Sequence, residues 1–162
     1  MTVLPIRTLP DPVLREKAKR VRTIDSSIQK LIDDMLETVH ADEGRAGLAA
    51  PQIGVSLRVI VISTPDEEEL VMINPEIVKS SGEKLVSEGC LSVPGYYGEI
   101  ERSESVTAKG RDRNGKEIRI KASGFLAQAL EHEIDHLNGI LYVDYLKSME
   151  ELYKIEPDEK LT

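Results

Sequence analysis

The segment His132-Glu133-Ile134-Asp135-His136 is the grouping in this chain best suited to chemistry. On a helix, two histidines four positions apart lie one above the other, so both imidazoles can reach one cation. Glu133 is then turned by about 100° from His132. It borders the same face and can move a proton to or from a water held there without being a ligand. This layout suits metal-assisted hydrolysis, in which a cation lowers the pKa of its water toward ~7 and polarises a carbonyl while the carboxylate carries the proton. The plainer alternative is a chance spacing of two helix histidines. The chain has only 3 histidines and two of them fall in this motif, which favours the metal reading.

Two histidines do not hold a catalytic metal; a third protein ligand is needed, with a fourth position left open. Spacing leaves several candidates: Cys90, His40, and the downstream carboxylates Asp144, Glu150 and Glu151. Cys90 is the only cysteine, so no internal disulfide can form and a reducing cytoplasm is the expected compartment. A lone cysteine is about as often a small buried hydrophobe. Its surroundings, Glu88-Gly89-Cys90-Leu91-Ser92, place a glycine beside the thiol, where another backbone can come close.

The elements that must position these groups are readable in outline. Helix 124–137 carries the HEIDH segment, with Leu126, Leu130, Ile134 and Leu137 on one flank and Asn138-Gly139 as its stop. An earlier helix begins near Ser26, with Ser26 and Gln29 at the spacing of a capping box. Its stripe of Ile28, Leu31, Ile32, Met35 and Val39 faces the core, and Gln29, Lys30, Asp33, Asp34 and Glu37 face out. Between the helices the chain reads as β. Residues 57–63 are rich in β-branched side chains. Residues 70–73 follow, ended by Asn74-Pro75. Two alternating runs around Asn114-Gly115 read as a hairpin with a two-residue turn. Residues 140–146 read as a short strand. The order helix, strands, helix, without βαβ alternation, predicts an α+β fold with antiparallel strands packed around the central helix that carries HEIDH.

The whole-chain numbers agree. At 162 residues one domain is expected, with 1–147 as a single catalytic domain and 148–162 as a charged C-terminal tail. With 5 Tyr, 1 Phe and no Trp, the core must be aliphatic. The net charge of −8 argues against nucleic acid or an anionic membrane as the main partner. No apolar run approaches the ~18 residues that would span a bilayer. The start, with prolines at 5, 10 and 12, reads as neither a signal peptide nor a transit peptide.

Three segments together, 45–54 (RAGLAAPQIG), 88–92 (EGCLS) and 132–139 (HEIDHLNG), resemble the signature motifs of the peptide deformylases, in that family's order and spacing. The likeness is to the bacterial-type enzymes and runs over nearly the whole chain. It implies removal of the formyl group from the N-terminal formyl-methionine of nascent polypeptides. It also implies Cys90, His132 and His136 as metal ligands, with a water at the fourth position attacking the formyl carbon. Glu133 is then the general base and acid, and Gln52 with the Leu91 N–H stabilises the oxyanion. The implied cofactor is one divalent ion, Fe(II) first, with Zn, Ni or Co possible on this donor set. By family position the methionine pocket draws on Ala46, Val86, Phe125 and Ala129, while Gly47 and Gly89 leave room for the substrate backbone. The expected partners are N-formylated nascent polypeptides, with at most a transient ribosome contact and no specific nucleic acid or membrane.

Two positions depart from the family pattern. Arg45 replaces the first glycine of the first motif. Gln128 replaces an apolar residue one turn before His132, which implies a more polar or reshaped pocket. Asp135 is expected to point away from the metal; the resemblance implies a structural role in which it pairs with Arg102, the alternative being an exposed helix carboxylate. The rival readings are a HExxH metallopeptidase with a downstream carboxylate as third ligand, and a non-enzymatic protein whose metal is structural, closed by His40.

Overall fold

The computed structural model describes residues 2–42, 44–64 and 68–155. Helix α1 spans Ser26–His40 and α2 spans Gly124–Leu137. The strands are β1 (Gly47–Ala49), β2 (Val59–Ile62), β3 (Leu70–Ser81), β4 (Lys84–Cys90), β5 (Val93–Arg102), β6 (Ser105–Arg111), β7 (Glu117–Ser123) and β8 (Tyr153–Lys154). They form two antiparallel sheets, one ordered β1-β2-β3-β6-β7 and one ordered β4-β5-β8. This is the expected α+β architecture.

The larger sheet lies between the two helices. Along β2 the side chains alternate faces, as a period of two requires. Val59 and Val61 pack with the α1 stripe of Ile28, Leu31, Ile32, Met35 and Val39. Ile60 and Ile62 pack with Ala127, Leu130, Ile134 and Leu137 of α2. All four β2 residues are at most 2% exposed. Burial of such side chains stabilises by roughly 1.5–3 kcal/mol each, which is why a four-residue strand can hold two helices. The other flank of α2, which carries the histidines, is turned toward the small sheet, where Cys90, Ile100 and Tyr142 form a separate buried cluster.

Several local features differ from the sequence expectation. The cap of α1 is Asp25, whose carboxylate accepts from the Ser27 and Ile28 N–H groups, and not Ser26. Asp34 does not face out: it is 4% exposed and accepts from the Thr2 N–H and from Lys30. Asn74-Pro75 shifts the β3–β6 register without ending β3. The reason is local: Asn74, at a φ of 54°, uses its side-chain amide to pair with both the N–H and C=O of Val21. The Asn114-Gly115 hairpin exists, but its loop is wider than two residues, because the ladder ends at Arg111↔Glu117. Asp112 organises that loop by accepting from the Asn114 and Lys116 N–H groups. Residues 140–146 are not a strand; Tyr142–Tyr145 form a 3-10 turn. Beyond residue 147, β8 pairs with β5.

The α2 stop is as expected. Asn138 and Gly139 donate back to Asp135 and His136, and Gly139 has a φ of 74°. A Cβ there would stand 2.6 Å from the Arg15 carbonyl oxygen, so only glycine fits. Arg58 donates to the Leu137 carbonyl and to Asn138 Oδ1, which ties the helix end to the start of β2. The helix that bears the histidines is thus pinned at its C-terminal end.

Candidate metal centre and active site

Three elements converge on one cluster of polar side chains beside a cavity. The α2 helix supplies His132, Glu133 and His136. The end of β4 supplies Cys90, and the 3-10 turn Ala50–Ile53 after β1 supplies Gln52. One donor atom from each of Cys90, His132 and His136 lies within 4.8 Å of the others. Cys90 Sγ is 3.2 Å from His136 Nε2, close to the edge of roughly 3.5 Å set by tetrahedral bonds of ~2.0–2.3 Å. One soft sulfur and two ring nitrogens make a donor set that fits a first-row divalent ion. His40 is elsewhere, at the exposed end of α1 beside Glu69. Asp144 is held by Arg15, and Glu150 and Glu151 are on the surface. Of the third-ligand candidates, only Cys90 is brought to the histidines.

The ring of His132 is fixed from behind. Its Nδ1 donates to Glu88 Oε1, which leaves Nε2 for the cavity. This is how outer-shell carboxylates usually set a ligand histidine's tautomer and orientation. Glu88 is 4% exposed and also accepts from Arg102, at 2.5 Å from one guanidinium nitrogen and 3.0 Å from Nε. Arg102 in turn donates to Asp135 at 2.7 Å, the pairing that the family resemblance implies, and Tyr145 donates to the same carboxylate oxygen. Burial pushes the Glu88 carboxyl up, but the hydrogen bonds from His132 and Arg102 and their charges outweigh it and hold it at about 2.

Glu133 stands in a contrasting environment. It is 5% exposed, and its Oε1 has no partner among the described residues. Burial first, then the nearby Glu88 and Asp135 charges, push its carboxyl up to about 7 against the pull of His132 and Arg102. Gly47 makes room for it: a Cβ at 47 would sit 2.7 Å from Glu133 Oε2. Burial, and after it the neighbouring His132, drives His136 down from the ordinary imidazole value.

Gln52 is 1% exposed. Its Oε1 accepts from the Ala49 N–H, which settles the direction of the amide. The NH2 end then points to Ser92 Oγ at 3.2 Å and to Cys90 Sγ at 3.6 Å. The Ser92 N–H also donates to that sulfur. Ala46, Gly47, Gly89, Leu91, Phe125 and Ala129 all line the cavity, together with Arg45 and Gln128. Val86 does not line it; it packs against the Cys90–Ile100–Tyr142 cluster. Family position implied Val86 for the pocket, but the cavity wall on β4 is made by Glu88, Gly89 and Cys90. The three motifs give Glu88 no role of its own, although period two on β4 puts it on the same buried face as Cys90.

Comparison with known proteins agrees with this geometry. The polypeptide deformylase family profile matches residues 3–152. A peptide deformylase of Dehalococcoides mccartyi (strain CBDB1) is 59% identical over 162 residues, covering 99% of this chain and 96% of the relative. One from Halothermothrix orenii is 55% identical over 145 residues, covering 89% and 94%. Among solved structures, a peptide deformylase from Legionella pneumophila superposes with a TM-score of 0.88 at 51% identity, covering 93% of this chain and 89% of that one. One from Ehrlichia chaffeensis in complex with actinonin superposes at 0.90 and 43% identity, covering 93% and 92%. With the sulfur and both imidazoles in one cluster of donors and the Glu133 carboxylate beside it, this chain belongs to the peptide deformylase family, the metal-dependent hydrolases that remove the formyl group from nascent polypeptides.

Proposed function

We propose that this chain carries out deformylation with Cys90, His132 and His136 holding one divalent ion, Fe(II) in the working enzyme. The observation that carries the reading is the convergence of those three donors beside a cavity that also presents the buried Glu133 carboxylate, one oxygen of which has no partner among the described residues. When bound, the ion would acidify a coordinated water and polarise the formyl carbonyl. Glu133 takes up a proton at its free Oε1 and returns it to the departing amine nitrogen. Gln52, fixed at its oxygen by Ala49, offers Nε2 to the oxygen that gains charge, and the Leu91 N–H is the second donor.

The substrate side chain sits between Ala46, Phe125 and Ala129, and Gly47 and Gly89 leave room for its backbone. The β1 strand is the edge of its sheet, so an extended peptide can add to it through main-chain hydrogen bonds, which are indifferent to sequence. Residues 1–147 act as the catalytic unit and 148–162 as an appendage. The working site is the cytoplasm, where nascent chains emerge, with any ribosome contact transient. No described helix is long and apolar enough to cross a membrane.

The test is formate release from formyl-Met-Ala, with metal content measured on the same samples. Wild type should turn over, and Cys90→Ala should lose both metal and activity. A Cys90→Ala chain that keeps its metal and cuts internal peptide bonds would support a HExxH peptidase instead. Metal-loaded wild type that releases no formate would leave only a structural ion. Equal activity in air and under argon would remove Fe(II) from the reading; loss in air with recovery on Ni(II) or Co(II) supports it.

A further inference from the structure

Gln128 lies one turn before His132 on α2, on the face that looks into the cavity, and it lines the wall there. It also does something an apolar residue at this position could not. Its Nε2 donates to Glu88 Oε2 at 3.2 Å and to the Ser87 carbonyl at 3.3 Å. With that contact, both oxygens of Glu88 carry two donors each. Oε1 receives His132 and one Arg102 nitrogen; Oε2 receives Arg102 Nε and Gln128. A carboxylate has about four lone-pair sites, so Gln128 completes the shell of the group that orients the His132 ring.

We propose that Gln128 is a positioning residue: acting through Glu88, it fixes the His132 ring at the metal centre while forming part of the substrate side-chain wall. The inference rests on the reading of Cys90, His132 and His136 as ligands. Its physical content is a tether. The two amide hydrogens clip α2 to β4 at Ser87 and Glu88, the point where the helix histidine and the strand carboxylate meet. Without them Glu88 keeps three donors and gains freedom to turn about its own χ angles, and the ring it holds turns with it. Pocket shape and ring orientation therefore depend on one side chain.

The experiment uses the Co(II)-loaded enzyme and the variants Gln128→Met and Phe125→Leu. Methionine keeps the length of glutamine and removes both donors. Phe125 lines the same cavity and has no hydrogen bond to Glu88. Three quantities are read: the rate of Co(II) loss to a chelator, the ligand-field absorption bands, and kcat and KM on formyl-Met-Ala. Loss of a direct outer-shell partner typically costs 10–100-fold in metal affinity or activity, and Gln128 is one contact further out, so Gln128→Met should release Co(II) roughly 3–10-fold faster. Its bands should shift and its kcat should fall. Phe125→Leu should change KM and leave the bands and the release rate where they were. Should the methionine variant prove insoluble, Gln128→Leu serves in its place with the same expected outcome. The proposal is overturned if the Gln128 variant keeps the wild-type bands and release rate and alters KM alone, for then Gln128 is only a wall. It is also overturned if Phe125→Leu moves the bands equally. A wild-type chain that takes up no Co(II) would instead remove the ligand assignment on which the inference stands.

Discussion

Glu88 and Glu133 are the same side chain, buried to nearly the same degree, in two neighbouring regions of opposite character. On the β4 side Glu88 is saturated with donors from His132, Arg102 and Gln128, and its carboxyl is held at about 2. On the β1 side Glu133 faces the bare backbone of Gly47, keeps one oxygen without a partner among the described residues, and is pushed up to about 7. Burial alone therefore does not decide what a carboxylate becomes; the number of donors it meets does. The saturated one is part of the framework, and the unsaturated one is available to carry a proton.

The contrast can be broken most directly at Glu133. Glu133→Ala should lower kcat by on the order of 10²–10⁴, the usual worth of a general acid–base, at unchanged metal content. Loss of metal instead would make it a ligand and erase the distinction. Glu88→Ala should act on the framework. It leaves Arg102, with its side chain only 4% exposed, short of its main counter-charge, a loss worth ~3–5 kcal/mol for a broken buried pair. Urea denaturation reads this, and a variant as stable as wild type would count against the framework role.

Gln52→Leu sharpens the reactive side. Removing one oxyanion donor costs about 10²–10³ in kcat, so kcat should fall far more than KM rises; an unchanged kcat would remove Gln52 from that role.

Asp34 supplies the baseline, a buried carboxylate remote from the cavity. Its hydrogen bond from Lys30, and then the Thr2 N–H, hold it below the ordinary 3.8 despite the opposing effect of burial. A lowered folded pKa means the stabilisation is fully present above pH 3.8 and is lost as pH falls through the lowered value. Asp34→Asn should cost about 1 kcal/mol, since Lys30 is largely exposed. The difference from wild type should vanish in strong acid.

How much of this was legible in the sequence follows from the range of each signal. The HEIDH helix, its length and its Asn138-Gly139 stop were readable because helical spacing and end signals are local. The α1 stripe was readable for the same reason. The joining of Cys90 to the histidines came through the set of three motifs, since spacing alone left His40 and the carboxylates open. What escaped depends on distant partners. Asp34 reads as surface until Thr2 lies beside it, and Asn74-Pro75 reads as a stop until Val21 supplies a pairing partner. Residues 140–146 have the composition of a strand, yet Asp144 accepts from the Leu141 N–H and turns the chain into a 3-10 turn. The role of Glu88 needed both the period of β4 and the position of α2.

The edge strand β1 is only three residues long and, among the described residues, is paired on one side, to β2. An open edge of that kind is a general hazard for a protein, because any stray strand, including a second copy, can stick to it. Here its brevity limits the danger. A strand of three residues offers a guest only a few main-chain hydrogen bonds, so the same edge that could take an extended peptide is a poor template for lasting strand pairing.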